Sequence, residues 1–428
     1  MFDMNINIDK LFEISKKHHD FFKYSIPLIA SENVTSYMVR MFYTTDFGHR
    51  YAEGSVGKRF YQGCAFIDKV EAMAIELTKK LFKAEHVNVQ PISGTVANMA
   101  AFFALTNPGD TIMSLSVPHG GHISHDKFSA AGLRGLNIVY YPFDIENFNI
   151  DVDETRKKVK MMDKKPKVFV LGASLFLFPH PVKEIVDIAH EIGAKVVYDA
   201  SHVLGLIAGG EFQDPIKEGA DVVTASTHKT FPGPQRAIIM CKKELAKKID
   251  RGVFPGVVSN HHLHSLAGYV IACLEMLEFG KDYANQIVKN AKRLAESLYN
   301  LGYDVVCPDL GFTKSHQIAV DVSKLGGGDK IAKILEEVGI ILNKNLLPWD
   351  DVKNADNPSG IRIGVQEVTR LGMKENEMDI IAELIDITIK EKKSKKEIRK
   401  MVAEFKSQFT TVKYTFEECP AYDMPKLM

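Results

Sequence analysis

From Phe82 to Met240, short apolar runs alternate with stretches in which apolar side chains recur every three or four positions. The runs Thr111–Leu115, Asn137–Tyr141, Lys167–Ala173, Lys195–Asp199, Asp221–Ser226 and Arg236–Cys241 predict buried strands. A strand covered on both faces has no polar side with which to alternate. Between them GTVANMAAFFALT (94–106), DETRKKVKMMD (153–163) and VKEIVDIAHEIG (182–193) carry helical spacing, the last closed by Gly193. Such alternation predicts an α/β fold: a mostly parallel central sheet with helices on both faces.

The flanks differ. A helical pattern over Asp9–Tyr24 gives way to IPLIASEN (26–33), which has neither period, so residues 1–45 read as an N-terminal arm. After FPGVVSNHHLHS (254–265) come two helical patterns, Leu266–Phe279 and Tyr283–Leu301. Short apolar runs in YDVVC, HQIAVDV, GIILNKN and SGIRIGV follow, with a helix near Lys330–Val338 and a charged helical tail. The expected organisation is the arm, a large α/β domain over 46–265 and a smaller α+β domain over 266–428. KEKKSKKEIRK (390–400) interleaves acids with its bases and reads as a solvated helix face rather than a nucleic-acid site. KLGGGDK (324–330) lacks the GK[ST] ending of a phosphate loop and reads as a plain loop.

Composition narrows the function classes. Lys+Arg and Asp+Glu both total 54, so no net field draws in nucleic acid or an anionic membrane. The five cysteines, Cys64, Cys241, Cys273, Cys307 and Cys419, are scattered and form no CxxC pair, which fits a reducing compartment. The polar start is unlike a signal peptide, and no run of 18 apolar residues occurs. A cytoplasmic protein is expected.

Ligands of open parallel sheets bind beyond the carboxyl ends of the strands. Asp199 ends KVVYD there, and Lys229 follows DVVTAS at the same edge, just before the Pro-Gly-Pro turn of HKTFPGPQ. In VQPISGTVAN, Ser93, Gly94 and Thr95 stand at a helix start, where N–H groups and hydroxyls can hold a phosphate. Singly, each has a plainer reading: a structural aspartate, a solvated lysine, an N-cap serine. Together they meet the demands of pyridoxal phosphate, which needs an amine for a Schiff base, a carboxylate for the pyridine nitrogen and a phosphate cradle.

The blocks LIASENVTS (28–36), HRYAEGSVGKRFYQGC (49–64), NVQPISGTVAN (88–98), PHGGHISH (118–125), YDASHVLGLIAG (198–209), STHKTFPGPQ (226–235), FPGVVSNHHLHS (254–265), LNKNLLPWDD (342–351) and SGIRIG (359–364) span almost the whole chain. Through them the chain resembles the serine hydroxymethyltransferase family, its archaeal branch closely. The resemblance implies a type I pyridoxal-phosphate transferase fold of the aspartate-aminotransferase kind. It also implies a homodimer with shared active sites, or a tetramer built from two. The implied reaction converts L-serine and a tetrahydropterin, either tetrahydrofolate or tetrahydromethanopterin, into glycine and the methylene-tetrahydropterin, with side aldolase activity on other β-hydroxy amino acids.

Carried over by motif, Lys229 would hold the coenzyme, Asp199 face its ring nitrogen and His122 stack on the ring. Ser174 and His202 would lie near the phenolic oxygen and the substrate. Ser93, Gly94 and Thr95 would take the phosphate, completed by Tyr51 from a second subunit and the Gly256 backbone; Asn98 and His228 would also contact the coenzyme. Arg362 would clamp the amino-acid carboxylate, assisted by Ser31 and a second subunit's Tyr61. Glu53, from the second subunit, would be the acid/base group. Val117, Gly121, Ile123 and Asn345, with Glu53, would receive the pterin.

The chain departs from the common family pattern at Pro232, Gln235, Arg236 and Ala237 behind the lysine, at Val257, Val258 and Ser259, and at Ser55 and Val56 near Glu53. Alternatives remain at this level. Arg362 could form a salt bridge between domains. His119, His122 and His125 could suggest a metal, but no carboxylate completes the set in sequence, and no metal is expected. A pterin-independent aldolase, a metal hydrolase and an idle binding scaffold are the competing functions.

Overall fold

The computed structural model of the chain describes residues 7–423, so the first six residues of the expected arm and the last five of the expected small domain lie outside it. Seven strands form the central sheet: β1 (His86–Asn88), β2 (Thr111–Ser114), β3 (Asn137–Tyr140), β4 (Val168–Leu171), β5 (Lys195–Asp199), β6 (Val222–Ser226) and β7 (Ala237–Cys241). Their order is β1-β7-β6-β5-β4-β2-β3. The six predicted runs are all strands here, and the mostly parallel α/β architecture is as expected.

Both faces of the sheet are covered. On β4, Phe169 and Leu171 join one apolar cluster while Val168 and Val170 join the other. Each fully buried side chain of this size contributes roughly 1.5–3 kcal/mol. That demand explains why these strands carry no polar alternation.

Three details differ from the expectation. β1, three residues long, was too short to read as a strand. β7 runs antiparallel to both β6 and β1. Only residues 227–236 join β6 to β7, too few for the crossover that a parallel neighbour needs. And β3 is the sheet edge, its ends exposed, rather than a strand buried on both faces.

The arm begins with helix α1 (Ile8–Lys23) and crosses to the second half of the chain, where Ile26–Pro27 pairs with Ile340–Ile341. Helix α2 (Ala65–Phe82) and helix α3 (Gly94–Leu105) then flank the sheet. The two helical patterns after residue 265 are one 38-residue helix, α4 (Leu263–Asn300), so the expected boundary at 265/266 falls in its first turn. The apparent gap at Gly280–Asp282 does not break it. Lys281 and Asp282 lie on its exposed side, and Gly280 is where it crosses the turn at Gly209; a Cβ on Gly209 would come within 2.4 Å of the Gly280 carbonyl oxygen. Among the described residues α4 alone is long and apolar enough to cross a bilayer, and 67% of its most apolar window is buried in the fold.

Four antiparallel strands, β8 (Asp304–Val305), β9 (Gln317–Asp321), β10 (Asn343–Asn345) and β11 (Gly360–Gly364), form a second sheet in the order β8-β9-β11-β10. KLGGGDK, expected as a plain loop, is instead a two-glycine link, Gly326–Gly327, between a 3-10 turn (Ser323–Leu325) and a helix (Gly328–Glu337). The basic run of the tail is engaged in structure: Lys390 and Lys392 pair with Asp386, Lys395 pairs with Glu337, and Arg399 lies over the Phe21 ring.

One buried ion pair links α4 to the C-terminal segment. Arg370 donates to Glu275 at 2.6 Å, both 1% exposed, and the Thr415 hydroxyl donates to the other Glu275 oxygen at 2.7 Å. Arg370 also lies 5.6 Å from the Tyr283 ring. Removing one partner of such a pair leaves a bare charge in the interior. Glu275→Leu should therefore lower stability by about 3–5 kcal/mol in urea unfolding, and adding Arg370→Met should restore most of the loss.

Candidate active site

β5 and β6 are neighbours and parallel, so their carboxyl ends deliver Asp199 and, three residues beyond Ser226, Lys229 to one sheet edge. Helix α3 begins beside them. The result is a cavity of about 260 Å³ lined by Ser93, Gly94, Thr95, His122, Asp199, His202, His228 and Lys229, together with Ala173, Ser201, Ser226 and Gln235. Eight sequence-predicted residues thus meet around one space.

Ser93 is the N-cap of α3, its hydroxyl accepting from the Val96 N–H at 3.3 Å, and it also lines the cavity. The N–H groups of Gly94 and Thr95, in the first turn, have no intrahelical carbonyl to meet. Gly94 is required by closeness: a Cβ there would stand 2.5 Å from the Ser226 hydroxyl. Ser201 and Ser226 add two hydroxyls at this end, and Ser201 Oγ accepts from the Ser226 N–H at 2.9 Å. This is a cradle for an anion.

Asp199 is 7% exposed yet strongly anionic. Burial alone would raise its pKa. The His125 hydrogen bond, the charges of His125 and His122 and the Asn98 amide outweigh burial and hold it far below the usual carboxylate range. One oxygen accepts from Asn98 Nδ2 at 2.8 Å and lies 3.2 Å from His125 Nε2; the other accepts from the Ser201 N–H at 2.9 Å. Asn98 is absent from the cavity lining and stands behind Asp199 instead, locked by the Thr224 hydroxyl at 2.6 Å.

Among the described residues the Lys229 amine has no hydrogen-bond partner. Burial lowers its pKa from 10.5 to about 8, with Asp199 opposing and Arg362 reinforcing the shift. Its backbone is anchored: Asn33 Nδ2 donates to the Lys229 carbonyl at 2.6 Å. Burial also takes His122 and His228 down to about 4, so both rings are neutral near pH 7.

Arg362, on β11, is buried, and burial takes it down to about 10. It donates to the Ser174 carbonyl at 2.7 Å and to Asn343 Oδ1 at 3.1 Å, and among the described residues it pairs with no carboxylate. The interdomain salt bridge is therefore excluded for the described residues. A buried guanidinium with no counter-ion suits a ligand carboxylate.

A second cavity of about 300 Å³ adjoins the first and shares His122; Val117, Gly121, Ile123, Asn345 and Ser174 line it. Ser31 lines a third cleft, which shares His228 and Gln235 with the first. Tyr51, Glu53, Tyr61 and Gly256 line none of the three. Tyr51 and Tyr61 are 54% and 44% exposed with ring centroids 5.3 Å apart, and Glu53 accepts from the Ser259 hydroxyl.

The metal argument from sequence needs correction. A carboxylate does reach the histidines: ligand atoms of His122, His125 and Asp199 lie within 4.8 Å of one another. Asp199 is 74 residues from His125, so spacing could not show it. Of the three, His125 Nε2 and Asp199 partner each other at 3.2 Å, while His122 Nδ1 meets Ser124 Oγ at 2.6 Å. His119 turns away and stacks on Phe143 at 4.6 Å.

Of the departures behind the lysine, Pro232 is buried and Arg236 is a buried structural cation, donating to the carbonyls of Val89 and His262 and to Ser265 Oγ. Ser201, Ser226, Gln235, His125 and Asn33 were missed as site residues. All five lie within motifs already singled out, His125 there weighed only as a metal ligand.

The sequence model of the family described as serine hydroxymethyltransferase matches residues 5–385. The chain is 65% identical over 423 residues to the serine hydroxymethyltransferase of Archaeoglobus fulgidus, covering 99% of this chain and 96% of that one. It is 59% identical over 416 residues to that of Methanosphaera stadtmanae, with 97% of each covered. Among solved structures, that of the L-threonine transaldolase from Pseudomonas fluorescens in its internal aldimine state is similar, with a TM-score of 0.87, 30% identity and coverage of 96% of this chain and 93% of that chain.

In the coenzyme-free protein, Lys229 should titrate near 8 rather than 10.5, read from the pH dependence of its acylation by mass spectrometry. Asp199→Asn should move the midpoint further down and Arg362→Gln should move it up. Since the folded pKa lies below the unfolded one, Lys229 should contribute stability that grows as pH rises from about 8 to 10.5.

Proposed function

The chain belongs to the serine hydroxymethyltransferase family, and from that premise we propose that it interconverts L-serine and glycine with a tetrahydropterin as one-carbon acceptor, using pyridoxal phosphate. The observation that carries the reading is one cavity edge on which an unpartnered amine, Lys229, faces a fixed carboxylate, Asp199, beside an anion cradle at a helix N-terminus. When bound, the pyridoxal ring supplies an electron sink for breaking the serine Cα–Cβ bond.

The chain's own residues do the rest. Lys229, with its pKa near 8, offers a useful fraction of free amine at neutral pH to bond the coenzyme carbonyl. Asp199 keeps a proton on the ring nitrogen, because its own carboxylate is held anionic. Neutral His122 offers a flat face to the ring without adding charge. Ser93, Gly94, Thr95, Ser201 and Ser226 hold the phosphate, and Arg362 takes the amino-acid carboxylate with Ser31 nearby. The second cavity receives the pterin against Val117, Gly121, Ile123 and Asn345, next to the ring at His122.

Glu53 moves a proton at the substrate hydroxymethyl oxygen. It acts, with Tyr51, Tyr61 and the Gly256 region, across a homodimer interface. The exposed aromatic residues of this segment, Phe60 at 72% and Phe66 at 72% beside the two tyrosines, support a surface that a second copy covers. The arm, the large domain over 46–265 and the small domain over 266–428 then share helix α4 as their joint. Free cysteines throughout favour the cytoplasm.

Serine-to-glycine turnover measured in parallel with tetrahydrofolate and tetrahydromethanopterin tests the reading; cleavage unaffected by either carrier would favour the aldolase. Borohydride reduction of the coenzyme-loaded protein should leave its adduct on Lys229, and an adduct absent or elsewhere overturns the site. Arg362→Lys should raise the serine KM by roughly 10- to 100-fold, the loss of one charge-assisted pair. Glu53→Gln should abolish pterin-dependent turnover while the coenzyme stays bound.

A further inference from the structure

Gln317 opens β9 and is fully buried. Two backbone groups fix which way its amide faces. The Phe176 N–H donates to Oε1 at 2.6 Å, and Nε2 donates to the Ser174 carbonyl at 2.9 Å. Neither contact survives a flip, because a main-chain N–H cannot accept and a carbonyl cannot donate. The same Nε2 faces Nδ1 of His202 at 2.8 Å. A ring nitrogen that meets an N–H must be the bare acceptor, so the His202 proton resides on Nε2.

We propose that Gln317 is a positioning residue for the reaction: it fixes His202 as the Nε2–H tautomer, so that the ring offers the Lys229 cavity a donor and never an acceptor. His202 lines that cavity, and Gln317 holds the opposite nitrogen. The groups facing the ring keep it neutral. Burial first, and then the charges of Lys229 and Arg362, push its pKa well down. His316 stacks on it at 5.7 Å, with its own Nε2 bound to the Ala30 carbonyl at 3.1 Å. The same Nε2 also donates to the Ser174 carbonyl, which Arg362 holds independently, so loss of the amide bears on His202 rather than on the arginine.

The tautomer is a property of this chain, and only its effect on turnover rests on the reaction proposed above. Long-range 1H–15N correlation on holoenzyme labelled at histidine, with His202 assigned by the signal lost in His202→Gln, should show a neutral ring protonated on Nε2 alone. A proton on Nδ1, or a doubly protonated ring near neutral pH, overturns the proposal without any variant at 317. Gln317→Met keeps the length and removes the amide; an Nδ1–H population should appear. kcat should fall by about 10-fold with the serine KM changed less than about 2-fold, and the kcat pH profile should gain an ionisation. Gln317→Glu presents an acceptor to Nδ1 and should protonate both nitrogens, with a kcat loss of about 100-fold. A Gln317→Met enzyme with the single Nε2–H tautomer and the unaltered pH profile also overturns it. The expected tautomer in an enzyme inert towards serine with either pterin would instead defeat the reaction and leave the tautomer standing.

Discussion

A carboxylate kept ionised out of reach of bulk water is expensive to maintain, and the rest of this site is arranged around that one requirement. Asp199 is stabilised from three directions: an amide from α3, an imidazole from the segment after β2 and a main-chain N–H from its own turn. Each support comes from a different part of the chain, so the anion exists only when the sheet, helix α3 and the histidine loop are assembled together. Its field in turn keeps the neighbouring lysine from losing its proton altogether, against burial and the Arg362 charge. Neither Lys229 nor Asp199 has its character alone.

The strand order does the geometric work. Side-by-side parallel β5 and β6 end at the same edge, and the reversal of β7 after so short a connection returns the chain immediately beneath the lysine. Arg236 then ties that return to Val89, just before the Ser93–Thr95 turn, and to the start of α4. Among the unusual residues behind the lysine, Arg236 is thus a structural brace, tying the amine's turn to the strand and helix on either side.

Much of this was legible beforehand, for physical reasons. The six apolar runs could be read because a strand with two covered faces must be apolar throughout. Asp199, Lys229 and the Ser93–Thr95 turn could be read because strand ends and helix starts are where a sheet presents chemistry. Other features lacked a local signature. β1 is too short to show a period, the two halves of α4 look separate because Lys281 and Asp282 interrupt the apolar pattern, and β3 is as apolar as its neighbours although it lies at an edge. His125 joins Asp199 only in space, and Gln317 looks in sequence like one polar residue at the head of a strand. Asn98, expected at the coenzyme, has an amide that donates to Asp199 from behind, a contact that only the folded chain reveals.

Arg362 has no anionic neighbour among the described residues, and this has a thermodynamic corollary. The free protein carries an unbalanced guanidinium, so any α-amino acid that reaches it relieves the same penalty. Glycine does so as well as serine, since both end in the same group. In the carboxylate-binding role proposed for it, Arg362 would be indifferent to the direction of a reversible reaction: it would retain product as firmly as reactant, and discrimination between them would have to come from whatever surrounds the side chain.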